Sequence, residues 1–151
     1  MLRTNKYRRA GLRFSETPVH NDILGHWSSL LFADQVLLLD RVICTHVVKA
    51  SGRHLTNRQS RQRLSLFDAL DETYSLLEGT PAWREAFAGD YWRFAIRTCN
   101  WAGDRISAEY LPEFEGRRRE HLLRIDIGDF IRLRMDEDPA LAETIVTKAL
   151  T

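Results

Sequence analysis

Residues that could carry chemistry are numerous in this chain, but their spacing specifies no reaction. No two histidines have the His-x3-His or His-Glu-x-x-His spacing of a zinc site; they are His20, His26, His46, His54 and His121. The sequence also has no GxxxxGK[ST] phosphate loop, GxGxxG dinucleotide loop or GxSxG nucleophile elbow. We therefore predict no metal and no cofactor, and we favour a protein that is not an enzyme.

One pair of residues has a spacing with a chemical meaning. Arg41 and His46 enclose Val-Ile-Cys-Thr, and this Arg-x4-His spacing resembles that of HEPN-type ribonucleases, a family of small helical proteins. The resemblance implies that both side chains meet at a helical dimer cleft, where they activate a ribose hydroxyl and stabilise the phosphate. The alternative is structural, since five residues turn a regular helix by about 140°. Arg41 would then pair with a carboxylate, and His46 would be a hydrogen-bonded core imidazole.

Basic residues are concentrated in the first half of the chain. Residues 1–66 contain eleven basic and four acidic residues, a net +7, whereas the remainder has a net −6. Residues 1–19 are interpreted as a basic arm, followed by one helical domain over 20–151. The residues we assign to binding are Arg3, Arg8, Arg9 and Arg13 of the arm, Arg58 and Arg61 further along, and Trp92. The two halves could instead neutralise each other inside the fold.

The arginine groups favour two different partners. Guanidinium groups bind phosphates bidentately, so the group around Arg58 and Arg61 and the run Arg117-Arg118-Arg119 indicate a nucleic-acid surface as one alternative. The formal net charge is only +1, and glutamates flank the second run. A salt-bridged, solvated protein face is therefore the favoured interpretation.

Tryptophans recur every nine residues at Trp83, Trp92 and Trp101. With nearby arginines they could form a stacking platform or the centre of an interface. The simpler interpretation is a seam of core aromatics across two short helices.

The periodicity of apolar residues predicts an all-α fold. We expect a bundle-like single domain of five or six helices around a long central helix over about 22–50, because the apolar residues there cover nearly the whole helical circumference. Charged and amide side chains interrupt this segment, so we expect no transmembrane span; they are Asp34, Gln35, Asp40 and Arg41.

Start and stop signals define the other helices. A capping box over 56–59 begins a helix that ends at Glu78. Pro81 opens a short helix that stops near Gly89, and a further helix covers 90–102. Residues 122–135 favour a helix, with a β-hairpin around Gly128-Asp129 as the alternative. Asp138 caps a terminal helix that ends at Leu150.

These observations favour an accessory or scaffold subunit that acts by binding other protein subunits of a larger assembly. The alternative is a nucleic-acid-directed helical protein, either an arginine-cluster binder or a HEPN-like ribonuclease using Arg41 and His46. Two distant cysteines and the lack of a secretory signal favour an intracellular location, in the cytoplasm or, given the Arg-rich arm, the mitochondrion.

Overall fold

The computed structural model describes residues 4–37, 40–42, 44–45 and 60–150, and all regular secondary structure in these ranges is helical. Its α-helices, in chain order, are α1 (Thr4–Arg9), α2 (Asp22–Leu31), α3 (Ser65–Glu78), α4 (Pro81–Gly103), α5 (Leu111–Leu122), α6 (Ile127–Arg132) and α7 (Pro139–Leu150). Helical turns at Arg61–Leu64, Ala108–Tyr110 and Leu133–Glu137 join them. The prediction of an all-α, bundle-like fold is confirmed, although the described ranges contain seven α-helices where five or six were expected.

The long central helix predicted over about 22–50 is wrong. Helix α2 begins at Asp22 as expected but ends at Leu31, and residues 33–37 are not helical. The buried face of α2 is complete within this short helix, whereas Val36 and Leu37 beyond it are 59% and 83% exposed. The apolar pattern of the sequence therefore extends beyond Leu31, although no part of the described core buries Val36 or Leu37. Residues 46–50 lie outside the described residues.

Helix α4 is continuous where two shorter helices were predicted. It passes through Gly89, which the sequence suggested as a stop. A Cβ at this position would lie 2.5 Å from the Glu137 Oε2 atom and 3.4 Å from Leu133 Cδ2. The glycine therefore allows the Leu133–Glu137 turn to approach α4 closely, and buried residues on both sides of it keep the helix intact.

The hairpin alternative at 122–135 is wrong, because α5 continues to Leu122 and α6 begins at Ile127. The Asp126 side chain caps α6 by accepting hydrogen bonds from Gly128 N (2.8 Å) and Asp129 N (3.3 Å). Gly128 and Asp129 thus occupy the first turn of a helix. Asp138 caps α7 as predicted, accepting from Leu141 N at 3.0 Å. The capping box at 56–59 lies outside the described residues, although its helix ends at Glu78 as expected.

The core lies where α3 packs on α2, α4 and α5, while α7 closes the far side of α5. Its large aromatic side chains are completely buried: Phe67, Tyr74, Tyr91, Trp92 and Phe114. Tyr74 and Tyr91 stack with centroids 5.1 Å apart, and Trp27 of α2 meets Tyr91 edge-on at 5.5 Å. No helix of the described ranges is long and apolar enough to cross a membrane.

The basic N-terminal residues contact the rest of the fold. Tyr7 Oη donates a hydrogen bond to the Ser29 carbonyl oxygen at 3.1 Å. Lys6 pairs with Asp34, and Arg13 lies 3.6 Å from a carboxylate oxygen of Glu72 on α3. Basic residues of the first half therefore face acidic groups elsewhere in the fold.

Replacing the cap of α6 tests this local structure. Asp126→Ala leaves two amide groups of the first turn without their acceptor, and we expect it to lower the free energy of unfolding by about 1 kcal/mol. Asp126→Asn keeps an accepting oxygen and should remain within a few tenths of a kcal/mol of wild type. Urea unfolding followed by circular dichroism measures both; equal losses in the two variants would show that the cap is not the stabilising group.

Candidate functional site

The most chemically distinctive group in the described residues is a chain of polar side chains from three helices, of which two are buried and the third, Asp71, is 37% exposed. His121 of α5 lies with Nε2 2.9 Å from the Tyr91 hydroxyl of α4 and Nδ1 2.6 Å from Asp71 Oδ1 of α3. The Tyr91 hydroxyl also donates to the Leu70 carbonyl oxygen at 2.8 Å. A Tyr–His–Asp chain of this kind resembles the proton relays of catalytic sites in composition.

The charges around Asp71 favour its ionised form. Burial raises the pKa of this carboxyl, but hydrogen bonds and positive charge from His121 and Arg124 outweigh burial, and the net pKa lies below its ordinary value. Arg124 donates to Asp71 Oδ1 at 3.0 Å and also pairs with Glu78. Because Asp71 is a carboxylate, the Nδ1 atom of His121 is the donor in their contact, which fixes the ring orientation.

Asp71 is the end of this chain that reaches the surface. His121 and Tyr91 are buried, and the rings of Tyr74 and Trp92 lie beside the imidazole with centroid distances of 6.4 and 5.4 Å, whereas the Asp71 side chain is 37% exposed. Burial raises the pKa of Tyr91 well above its ordinary value, so its hydroxyl stays protonated. These groups orient one another and contribute to the specific packing of α3, α4 and α5.

Sequence reasoning missed this network because its members are far apart along the chain. Asp71 and His121 are separated by 50 positions, and no motif connects them. A signal was present within α5, whose buried residues follow the i, i+4, i+7, i+8 spacing of one helix face: Phe114, Arg118, His121 and Leu122. A histidine on such a face indicates a hydrogen-bonded core imidazole.

Most of the arginines considered for phosphate binding and present in the described ranges already have partners. Arg61 forms a two-pronged pair with Glu113, at 3.1 Å from Nε and 2.7 Å from Nη2. In the arginine run of α5, Arg117 pairs with Asp68 at 2.8 Å and Arg118 pairs with Glu115. Arg8 and Arg9 are exposed on α1. Arg3 and Arg58 lie outside the described residues.

The remaining predicted site residues are not brought together. Arg41 is exposed in a non-helical segment, and His46 lies outside the described residues, so their relative position is not given. Trp92 was assigned to binding, but it is completely buried between the rings of Tyr74 and Tyr91 and offers no face to a partner. Its place in the core corrects that assignment.

The described part of the chain contains no cluster of metal ligands, and its one buried cysteine is unreactive. No group of three or more His, Cys, Asp or Glu side chains there could hold a metal ion. Cys99 is buried, and burial raises its pKa to about 12, which leaves it an unreactive thiol at neutral pH. Both described cysteines, Cys44 and Cys99, are free.

A second feature is a surface on which α6 and α7 expose apolar side chains, which we call the α6–α7 surface; it comprises Ile127, Phe130 and Ile131 of α6, Arg134 of the Leu133–Glu137 turn and Val146 of α7. Ile127, Phe130 and Ile131 follow the i, i+3, i+4 spacing of one helix face, and Phe130 is partly buried against the core. Ile127 is 71% exposed, Ile131 54% and Val146 40%. Phe130, Arg134 and Val146 also line a groove of about 360 Å³, together with Glu143.

No known protein-family model, curated protein or solved structure matches this chain. Its function is therefore argued from its own geometry.

The His121 network makes stability depend on pH through Asp71. The pKa of Asp71 is lower in the folded chain than in the unfolded one, so its contribution is complete above its unfolded pKa of about 3.9 and is lost as pH falls through the lower, folded value. We expect Asp71→Asn to flatten the acid dependence of the free energy of unfolding between pH 6 and pH 2. At pH 7 the variant should lose about 1–2 kcal/mol, because a charge-assisted hydrogen bond to the buried His121 is removed while solvent screens the partly exposed carboxylate.

Asp68→Asn is the matched control, because Asp68 lies on the same helix and pairs with Arg117 at an exposed position. Its loss should stay below about 1 kcal/mol. The free energy of unfolding of wild type and both variants is measured by urea unfolding at each pH. Parallel pH curves for wild type and Asp71→Asn would contradict the role given to this carboxylate.

Proposed function

We propose that this chain is a non-enzymatic accessory or scaffold subunit that binds another protein through the α6–α7 surface. The observation that carries the proposal is the exposure of Ile127 and Ile131, one turn apart on the same face of α6. Burying an isoleucine side chain contributes about 1.5–3 kcal/mol of favourable free energy. A partner that covered Ile127 and Ile131 would gain this free energy on binding. Contiguous exposed apolar groups of this kind mark interaction sites in soluble proteins.

The shape and charge of the surface favour an amphipathic helix as its occupant. A groove between two helices accepts an apolar helix face, read as anchors three and four residues apart. Arg134 and Glu143 at the groove supply one charge of each sign. A partner helix with an apolar stripe flanked by an acidic and a basic residue would complement both.

The polar groups support a binding role over a catalytic one. His121 and Tyr91 are buried among aromatic rings, and Arg117 and Arg118 of α5 are paired with carboxylates. A guanidinium group in an ion pair has part of its charge neutralised and fewer N–H donors available for a phosphate, and this weakens the nucleic-acid alternative. The free thiols of Cys44 and Cys99 are compatible with the proposed intracellular setting, in the cytoplasm or the mitochondrion.

The proposal is tested by removing the apolar anchors without disturbing the fold. Ile127→Ser with Ile131→Ser should abolish association with the partner, because both anchors are lost from its binding face. The matched control is Val36→Ser with Leu37→Ser, which removes two exposed apolar side chains outside the α6–α7 surface. The measurement is affinity purification from the native source with each full-length variant, followed by mass spectrometry.

A photo-crosslinking residue at position 131 then identifies the segment of the partner that touches this surface. That segment, synthesised as a peptide, should become helical on binding to the wild-type chain and should not bind the Ile127/Ile131 variant. Retention of every partner by that variant would contradict the proposal. Binding to a single-stranded RNA with a steep salt dependence, unaffected by the serine substitutions, would favour the nucleic-acid alternative instead.

A further inference from the structure

A second cavity lies away from the α6–α7 surface, where the segment before α2 meets the middle of α4. Its volume is about 430 Å³, at the lower end of the range for small-molecule sites. Its lining includes His20, Asp22 and Arg63 together with Phe94, Thr98 and Trp101 of α4. The lining therefore combines aromatic rings with a small set of charged and polar groups.

Positive charge is concentrated around one tryptophan of this cavity. The guanidinium carbon of Arg63 lies 5.0 Å from the Trp101 ring centroid, and that of Arg105 lies 4.6 Å from the same centroid. Arg63 is only 3% exposed, and burial together with the Arg105 charge lowers its pKa. Within the described ranges, no carboxylate oxygen lies within 4.0 Å of Arg105.

His20 has a strained backbone and an unsatisfied ring atom beside the same tryptophan. Its φ of +62° makes it the single described non-glycine residue in the left-handed region. Such a conformation costs about 1–3 kcal/mol and is concentrated at ligand sites. The His20 Nε2 atom is buried without a hydrogen-bond partner, and the ring meets Trp101 edge-on at 6.0 Å.

Protonation of His20 is disfavoured, so its ring is a neutral hydrogen-bonding group at pH 7. Burial and the Arg63 charge lower its pKa, and these effects outweigh the opposing effect of Asp22. Among the described groups, the cations of Arg63 and Arg105 lie at the Trp101 ring, and the Asp22 carboxylate lines the cavity. Positive charge held beside an aromatic ring favours a ligand with an anionic group.

We propose that this cavity binds a small molecule that has one anionic group, a carboxylate or a phosphate ester, on an aromatic body. The anionic oxygens accept hydrogen bonds from the Arg63 guanidinium and from His20 Nε2–H. The aromatic body packs against Phe94 and Trp101, where stacking adds to apolar burial. The site uses none of the residues of the α6–α7 surface and is independent of the proposed protein partner.

The test uses the full chain and four probes: benzoate, phenyl phosphate, inorganic phosphate and benzyl alcohol. Two-dimensional ¹H–¹⁵N spectra follow the indole N–H of Trp101, assigned from its loss in Trp101→Phe. We expect benzoate, phenyl phosphate or both to shift this signal saturably, and whichever binds identifies the anionic group. Inorganic phosphate and benzyl alcohol should bind at least tenfold more weakly, because inorganic phosphate has no aromatic ring and benzyl alcohol has no anionic group.

The variants His20→Gly and Arg63→Met should each weaken probe binding at least tenfold. His20→Gly keeps the test valid if the buried Arg63 substitution unfolds the chain, because glycine adopts a positive φ without strain. Its urea midpoint should stay near that of wild type. The matched control His26→Ala changes an exposed histidine of α2 and should bind as wild type does.

The proposal is overturned if neither benzoate nor phenyl phosphate shifts the Trp101 signal saturably. It is also overturned if benzyl alcohol or inorganic phosphate binds as tightly as the aromatic anions. Unchanged binding in a folded His20→Gly variant would equally exclude the site as described.

Discussion

The contact between His121 and Asp71 is the constraint on which the core of this protein depends. It joins α5 to α3 at 2.6 Å, while the opposite side of the same imidazole meets the Tyr91 hydroxyl of α4 at 2.9 Å. A buried imidazole with unsatisfied nitrogens would be costly, so the three helices are held in the one arrangement that satisfies them. The rings of Tyr74, Tyr91 and Trp92 pack around the imidazole, and the Asp71 carboxylate joins it from the partly exposed side.

Burial of His121 and Tyr91 is the reason that we propose a surface role for this chain. These two groups lie among aromatic rings, and Arg117 and Arg118 of α5 are paired with carboxylates. Pairs such as Arg61 with Glu113 and Arg13 with Glu72 also join the basic first half of the chain to its acidic remainder. Within the described ranges, the two features that we propose for binding are the α6–α7 surface and the cationic aromatic cavity at Trp101.

The sequence predicted those parts of the fold that local chemistry decides. The end of α3 at Glu78 and the Asp138 cap of α7 follow from side chains a few residues from the helix ends. The length of α2 was not predictable in this way, because apolar periodicity gives a helix face but not the extent of the surface that buries it. The predicted helix end at Gly89 was wrong for a related reason. This glycine allows Glu137 and Leu133 to approach α4 closely, and it does not end the helix. The His121 network depends on contacts across 50 positions, which no local spacing encodes.

The most direct test of this account is a double-mutant cycle between Asp71 and His121. The free energy of unfolding is measured for wild type, Asp71→Ala, His121→Phe and the double variant at pH 7. If the pair fixes α3 against α5, the double variant should lose less than the sum of the single variants, with a coupling energy of about 1–3 kcal/mol. Losses that add to within about 0.5 kcal/mol would show that the two side chains stabilise the fold independently, and the central role given to their contact would be wrong.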